Sequence, residues 1–184
     1  NKIFKIDKSK IKSKYNLKNN SKVVLFVGRL TSVKSVDYLI QGFSLAKVKD
    51  KKLVIVGNGE EESNLKELAS RLGLEKEVVF LGQVNPEQIG KFFAIADVFV
   101  LPSIMETGGN VLLEALNFNV PIISTKVGWA DDFIINGRNG YIIKKQDSND
   151  IKNKLELLLN DKNSLLKMKR NVEITVRKKL ITWK

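Results

Sequence analysis

Short, almost wholly apolar runs recur along this chain, each followed by an amphipathic stretch, and that alternation leaves few folds open. Val23-Val24-Leu25-Phe26-Val27, Leu53-Val54-Ile55-Val56, Val78-Val79-Phe80-Leu81 and Val98-Phe99-Val100-Leu101 show no polar face, so each predicts a strand covered on both sides. Pro121 to Ser124 and Tyr141-Ile142-Ile143 supply a fifth and a sixth. From about Ser35, Val36, Leu39, Ile40 and Phe43 fall at helical spacing, and Glu60 to Leu72 reads as a helix stopped by Gly73. Asn85-Pro86-Glu87 places a capping residue before a proline at the first helical position, predicting a helix to about Ile95. Further helices are expected from Asn110 to Phe118 and from Ser148 to Leu159, then a basic helical tail. Apolar strands alternating with helices predict a doubly wound α/β domain, a Rossmann-like, mostly parallel sheet of about six strands with helices on both faces.

Composition narrows the chemistry. The chain has neither cysteine nor histidine. Disulfides, thiolate metal sites, Ser-His-Asp triads and nearly every transition-metal site are thereby excluded within it, and the missing cysteine fits a cytoplasmic setting. No apolar run approaches the ~18 residues of a membrane span. A chain that opens on Asn1 is expected to be a piece of a longer protein. The net charge of +12 is uneven: residues 1–22 and 144–184 each carry +7, and 23–143 carry −2. Basic ends can attract an anionic membrane, but a Lys- and Asn-rich surface reflecting genome base composition is the plainer reading. No aromatic residues interleave with the basic ones, so nucleic acid is not the expected partner.

In such a sheet the ligand is expected outside the carboxyl ends of the strands. The first strand closes on Gly28-Arg29-Leu30-Thr31 and the second on Gly57-Asn58-Gly59, which is not the glycine pattern of a nicotinamide site. A Walker loop is absent, and Gly28-Arg29 and Gly82-Gln83 stand where a phospho-acceptor domain needs acids. Arg29 and Lys34 instead place two cations at the mouth of the crevice. A guanidinium and an ammonium there suit a diphosphate; two solvated loop cations are the plainer alternative.

After the fourth strand, Glu106 and Glu114 lie eight positions apart with Thr107, Gly108 and Gly109 as a turn between them. A turn opening a helix leaves backbone N–H groups free, and with the helix dipole these form a ready anion site. Carboxylates beside such a turn suit a ligand bearing both hydroxyls and phosphate, such as a nucleotide sugar. A solvated loop acid and an ordinary helix-surface acid would give the same spacing.

Taken in order, Phe26-Val27-Gly28-Arg29-Leu30, Lys34 to Ile40, Leu53 to Gly59, Val79 to Gly82, Ala96 to Ser103, the Glu106–Glu114 pair, Leu113 to Leu116, Val120 to Thr125 and Gly137 to Ile143 resemble the C-terminal, donor-binding domain of the family 4 retaining glycosyltransferases, of the GT-B fold. The Glu pair matches that family's E-x7-E signature, and the likeness covers about Val23 to Leu159. It implies that Arg29 and Lys34 hold the donor's diphosphate and steady the leaving group, that Glu114 accepts from the ribose hydroxyls, and that Glu106 contacts the transferred sugar. Backbone N–H groups of Thr107, Gly108, Gly109, Asn110 and Val111 would meet phosphate or sugar oxygens, and Gln83 and Val84 the base edge, with Gly28 and Gly57 completing the donor site. Replacing Glu106 by glutamine is then expected to spare binding of plain diphosphate. The family's front-face transfer uses no protein nucleophile, no cofactor and no metal.

This loop departs from the family's usual E-G-F-G, reading Glu106-Thr107-Gly108-Gly109 with Asn110 where an aliphatic residue is common. The family also has two such domains. The resemblance therefore implies a lead-in segment at 1–22, the nucleotide-sugar domain at 23–160, and a basic helical tail at 161–184 crossing towards an N-terminal half that binds a glycan or lipid acceptor. On this reading the chain alone binds a UDP- or GDP-sugar, less readily an ADP-sugar, and transfers nothing. Peripheral contact with the inner face of a membrane is compatible with it. A GT-B nucleotide-sugar epimerase and a nucleotide-binding module without catalysis are the alternatives.

Overall fold

The computed structural model describes residues 7–182, with side chains as far as Arg177. Six strands form one sheet in the order β3-β2-β1-β4-β5-β6, and every neighbouring pair is parallel. They are β1 (Lys22–Val27), β2 (Lys51–Val56), β3 (Val78–Phe80), β4 (Val98–Leu101), β5 (Ile122–Thr125) and β6 (Gly140–Ile143). The expected doubly wound fold is the observed one, parallel throughout.

The two central strands are covered on both faces and flanked on both edges, and their sequence is correspondingly apolar. Val23 to Phe26 and Val98 to Val100 are fully buried, with Val24 opposite Val98 and Leu25 opposite Phe99. Helices α2 (Val36–Leu45), α3 (Glu62–Arg71) and α7 (Ser148–Leu159) pack as one layer. The other layer holds α1 (Lys8–Lys14), α4 (Pro86–Ile95), α5 (Asn110–Asn117) and α8 (Lys162–Thr182), while α6 (Ala130–Phe133) is a single turn after β5. Asn85 caps α4 through its side-chain oxygen, which accepts from the Glu87 N–H, and proline follows at the first helical position as expected.

The charged ends are built into the body. Helix α1 starts on Asp7, whose carboxylate accepts from the Ser9 and Lys10 N–H groups; it packs on α4, and Leu17 is buried behind it. Leu165, Met168 and Val172 of α8 reach the core. Lys169 donates to Asp97 at 3.1 Å, and the other oxygen of Asp97 accepts from the Val23 N–H, so α8 is tied to the start of both central strands. Residues 1–6 of the expected lead-in segment, and Trp183 and Lys184 of the expected tail, lie outside the described residues. Among the described residues no helix is long and apolar enough to cross a membrane.

Candidate functional site

The strand order reverses between β1 and β4, and a doubly wound sheet opens a crevice at the carboxyl ends of such a pair. The loops leaving these two strands meet there. After β1 the chain runs through Arg29 into a 3-10 turn at Ser32–Lys34, and the Ile104 N–H, three residues beyond β4, donates to the Val33 carbonyl at 2.8 Å. That bond sets Lys34 beside Glu106, 72 residues away in sequence. The Lys34 ammonium donates to both carboxylate oxygens at 2.7 Å, with the side chains only 21% and 13% exposed. Ser103, itself fully buried, donates through Oγ to Glu106 Oε1 at 2.7 Å, and its own carbonyl accepts from Thr125 Oγ1 at 2.6 Å. Glu106 is thus a held and neutralised carboxylate rather than a solvated loop acid. Arg29 is exposed and makes no hydrogen bond or ion pair with a described residue.

On the β2 side the backbone itself is the wall. Gly57 leaves β2 at φ +132°, and a Cβ there would lie 1.9 Å from the Gly28 carbonyl oxygen, so only glycine fits. The Gly57 N–H donates to the Gly82 carbonyl and the Leu30 N–H to the Asn58 carbonyl, at 2.8 Å each, which binds the ends of β1, β2 and β3 into one rim. A cavity of about 200 Å³ opens in that rim, lined by Gly28, Arg29, Gly57, Asn58, Gln83 and Val84, with Ile89 of α4 as part of its apolar floor.

The third part of the site is the start of α5. Gly109 precedes it at φ +149°, and no side chain caps the helix, so the Asn110 and Val111 N–H groups are unclaimed by the helix. Gly108 is pinned from behind: its carbonyl accepts from the Trp129 N–H at 3.3 Å and lies where a Cβ on Gly128 would be 1.8 Å away. Gly128 also sits at φ +51°. Gly128→Ala is therefore expected to push the 106–109 turn towards the crevice and to cost at least ~1–3 kcal/mol of stability, read as a lowered denaturation midpoint. Glu114 lies one turn into α5, on the same helix face as Asn110, and helical side chains lean towards the helix N-terminus. It reaches solvent and has no partner among the described residues, and partial burial pushes its carboxyl above the ordinary glutamate range.

The structure therefore brings Gly28, Arg29, Gly57, Gln83 and Val84 into one cavity wall and Lys34 and Glu106 into contact, and sets Thr107, Gly108, Gly109, Asn110, Val111 and Glu114 on the turn and helix beside them. Four participants went unrecognised in the sequence. Asn58 and Ile89 line the rim, Ser103 orients Glu106, and Gly128 backs the turn; the Ser103 hydroxyl lies three residues from Glu106 and Gly128 follows a strand, yet neither position signals its partner. A larger cavity, about 470 Å³, lies beyond the 31–35 turn between α2 and α3 and contains none of the predicted residues. Among the described residues no group of three or more His, Cys, Asp or Glu is placed to hold a metal.

This arrangement has parallels among known proteins. A family model described as glycosyl transferases group 1 matches residues 7–175. A capsular polysaccharide biosynthesis glycosyltransferase of Staphylococcus aureus is 34% identical over 169 residues, which is 86% of this chain and 42% of that protein. Anabaena HepE, solved in complex with UDP, superposes with a TM-score of 0.85 at 25% identity over 93% of this chain and 48% of its own. The separately solved C-terminal domain of a glycosyl transferase group 1 family protein from Francisella tularensis superposes at 0.84 with 24% identity, covering 95% of this chain and 93% of that domain. This chain spans 40–42% of the length of the curated relatives it matches.

Proposed function

The chain belongs to the glycosyl transferases of group 1, and on that premise we propose that it is the donor-binding half of a hexosyltransferase that acts with retention. One observation supports the reading: at the β1/β4 switch point Lys34 on the β1 loop pairs with Glu106 on the β4 loop, Arg29 stands exposed on the same β1 loop, and the β4 loop runs into an uncapped helix start. A nucleotide sugar needs those groups together. Arg29 and Lys34 offset the diphosphate, the Asn110 and Val111 N–H groups bind its oxygens at the positive end of α5, Glu114 accepts from the ribose, and Glu106 from the sugar. The cavity at Gln83 and Val84 receives the base edge. HepE was solved with UDP and with UDP-glucose, which makes a uridine nucleotide the first donor to test, ahead of guanosine and adenosine ones.

In the reaction the bond from the anomeric carbon to the departing phosphate oxygen breaks, and a bond to the acceptor oxygen forms on the same face. The acceptor's hydroxyl proton passes to the departing phosphate. Arg29 and Lys34 stabilise the charge that grows on that leaving group, a task for fixed electrostatics rather than for a protein nucleophile. Residues 23–160 are the nucleotide-sugar domain, with 1–22 leading in and 161–184 leading out towards a second half that supplies a glycan or lipid acceptor. The enzyme works in the cytoplasm, and its basic ends favour contact with an anionic membrane face.

Titration calorimetry of residues 1–184 with UDP- and GDP-sugars, each with and without EDTA, tests this reading. Binding of one series, unaltered by EDTA, is the expected result, because two cations and a helix start already balance the diphosphate. No sugar transfer is expected from the chain alone, since half the walls that position an acceptor are absent. Binding abolished by EDTA, or transfer by the chain alone, would contradict the proposal.

A further inference from the structure

The Lys34–Glu106 contact places the cation meant for the diphosphate on the carboxylate meant for the sugar. Both Lys34–Glu106 distances are 2.7 Å, and among the described residues Glu106 has one other donor, the Ser103 hydroxyl. Arg29, the other cation proposed for the site, has no such partner among the described residues. A diphosphate that takes Lys34 therefore leaves a carboxylate that is only 13% exposed with a single hydroxyl for company and a new anion beside it. Such a group is costly unless new donors reach it. Plain diphosphate has none to give at that position. A diphosphate bearing a sugar does, because the hydroxyls of the sugar can donate where the ammonium did.

From this exchange we infer that Glu106 discriminates between sugar nucleotide and plain nucleoside diphosphate, by penalising the diphosphate that arrives without a sugar. The inference rests on the proposed donor site and adds a direction to it. Donor is favoured over product, so the spent nucleotide leaves with Lys34 returning to Glu106. Ser103 is a positioning residue in this scheme, holding the carboxylate in place while its counter-ion changes. The exchange reverses the expectation that Glu106→Gln spares plain diphosphate: with the negative charge gone, Lys34 is free and the anion is no longer repelled.

Calorimetry with UDP and UDP-glucose, or with GDP and its sugar if that series binds, on the wild-type chain, Glu106→Gln, Glu106→Ala and Arg29→Ala gives the test. Both Glu106 variants should bind plain diphosphate more tightly, by roughly fivefold, the worth of a partly exposed ion pair. Their preference for the sugar nucleotide over the diphosphate should fall by more than that factor. Glu106→Ala guards against a glutamine amide that repacks the turn. Unchanged or weakened diphosphate binding in both Glu106 variants would overturn the exchange. Arg29→Ala separates the two levels: if it leaves diphosphate binding intact, or if no nucleotide binds at all, the donor site itself is wrong and the exchange falls with it.

Discussion

Phe99→Ala should cost the domain ~3–5 kcal/mol, the usual range for deleting a buried aromatic ring. Phe99 is fully buried in β4, opposite Leu25 on one side and Ile122 on the other. Its ring lies 5.5 Å from that of Phe93, which in turn stacks on Phe118 at 6.0 Å, so one truncation unseats a chain of aromatic contacts joining the sheet to α4 and α5. The cavity cannot close easily, since both neighbouring strands hold Phe99 in register. A domain of this size has ~5–15 kcal/mol in total, so the loss is roughly a fifth or more of its margin. Urea denaturation should show a lower midpoint with an unchanged slope, and Phe99→Leu should lose much less. An alanine variant as stable as the parent would mean that β4 is not the packed centre of the fold.

The strands and most helices were legible because their signals are local. A strand covered on both faces has no polar position to disguise it, so Val23 to Val27 and Val98 to Leu101 could be bounded to within a residue of β1 and β4. The start of α4 was equally plain from Asn85-Pro86. Helix α1 was not read, because Lys8–Lys14 offers only Ile11 and no apolar face; its stability comes from the Asp7 cap and from docking on α4. The 3-10 turn before α2 was missed for a different reason. Ser35 adopts φ +50°, a conformation nothing in its side chain announces, and it moves the helix start to Val36.

The candidate residues could be set on neighbouring loops from the sequence, but their contacts could not. Arg29, Lys34, Glu106 and Glu114 all follow β1 or β4, strands that the topology places side by side. No local signal reports that Lys34 and Glu106, 72 residues apart, meet, because their pairing depends on the Ile104–Val33 hydrogen bond between two loops. Ser103 and Gly128 escaped notice for the same reason: one serves a neighbour three residues on and the other a carbonyl across the β5 loop.

The measurement closest to the central claim is nucleotide binding by the chain with Arg29 and Lys34 both replaced by alanine. Each cation is proposed to make charge-assisted contacts with the diphosphate, and such a contact is worth ~1.5–3 kcal/mol. Two of them amount to roughly a hundredfold or more in affinity, reduced somewhat because Lys34 must first leave Glu106. Arg29→Ala alone should take the larger share, since its guanidinium has no partner among the described residues to give up. Calorimetric titration of the parent and of the double variant with UDP and UDP-glucose, or with the guanosine pair if that series binds, supplies the comparison, with cooperative unfolding of the variant, at a midpoint lowered by the unpaired Glu106, as the control for folding. The account predicts saturable binding by the parent and its near loss in the double variant. Equal affinities for the two proteins would contradict it.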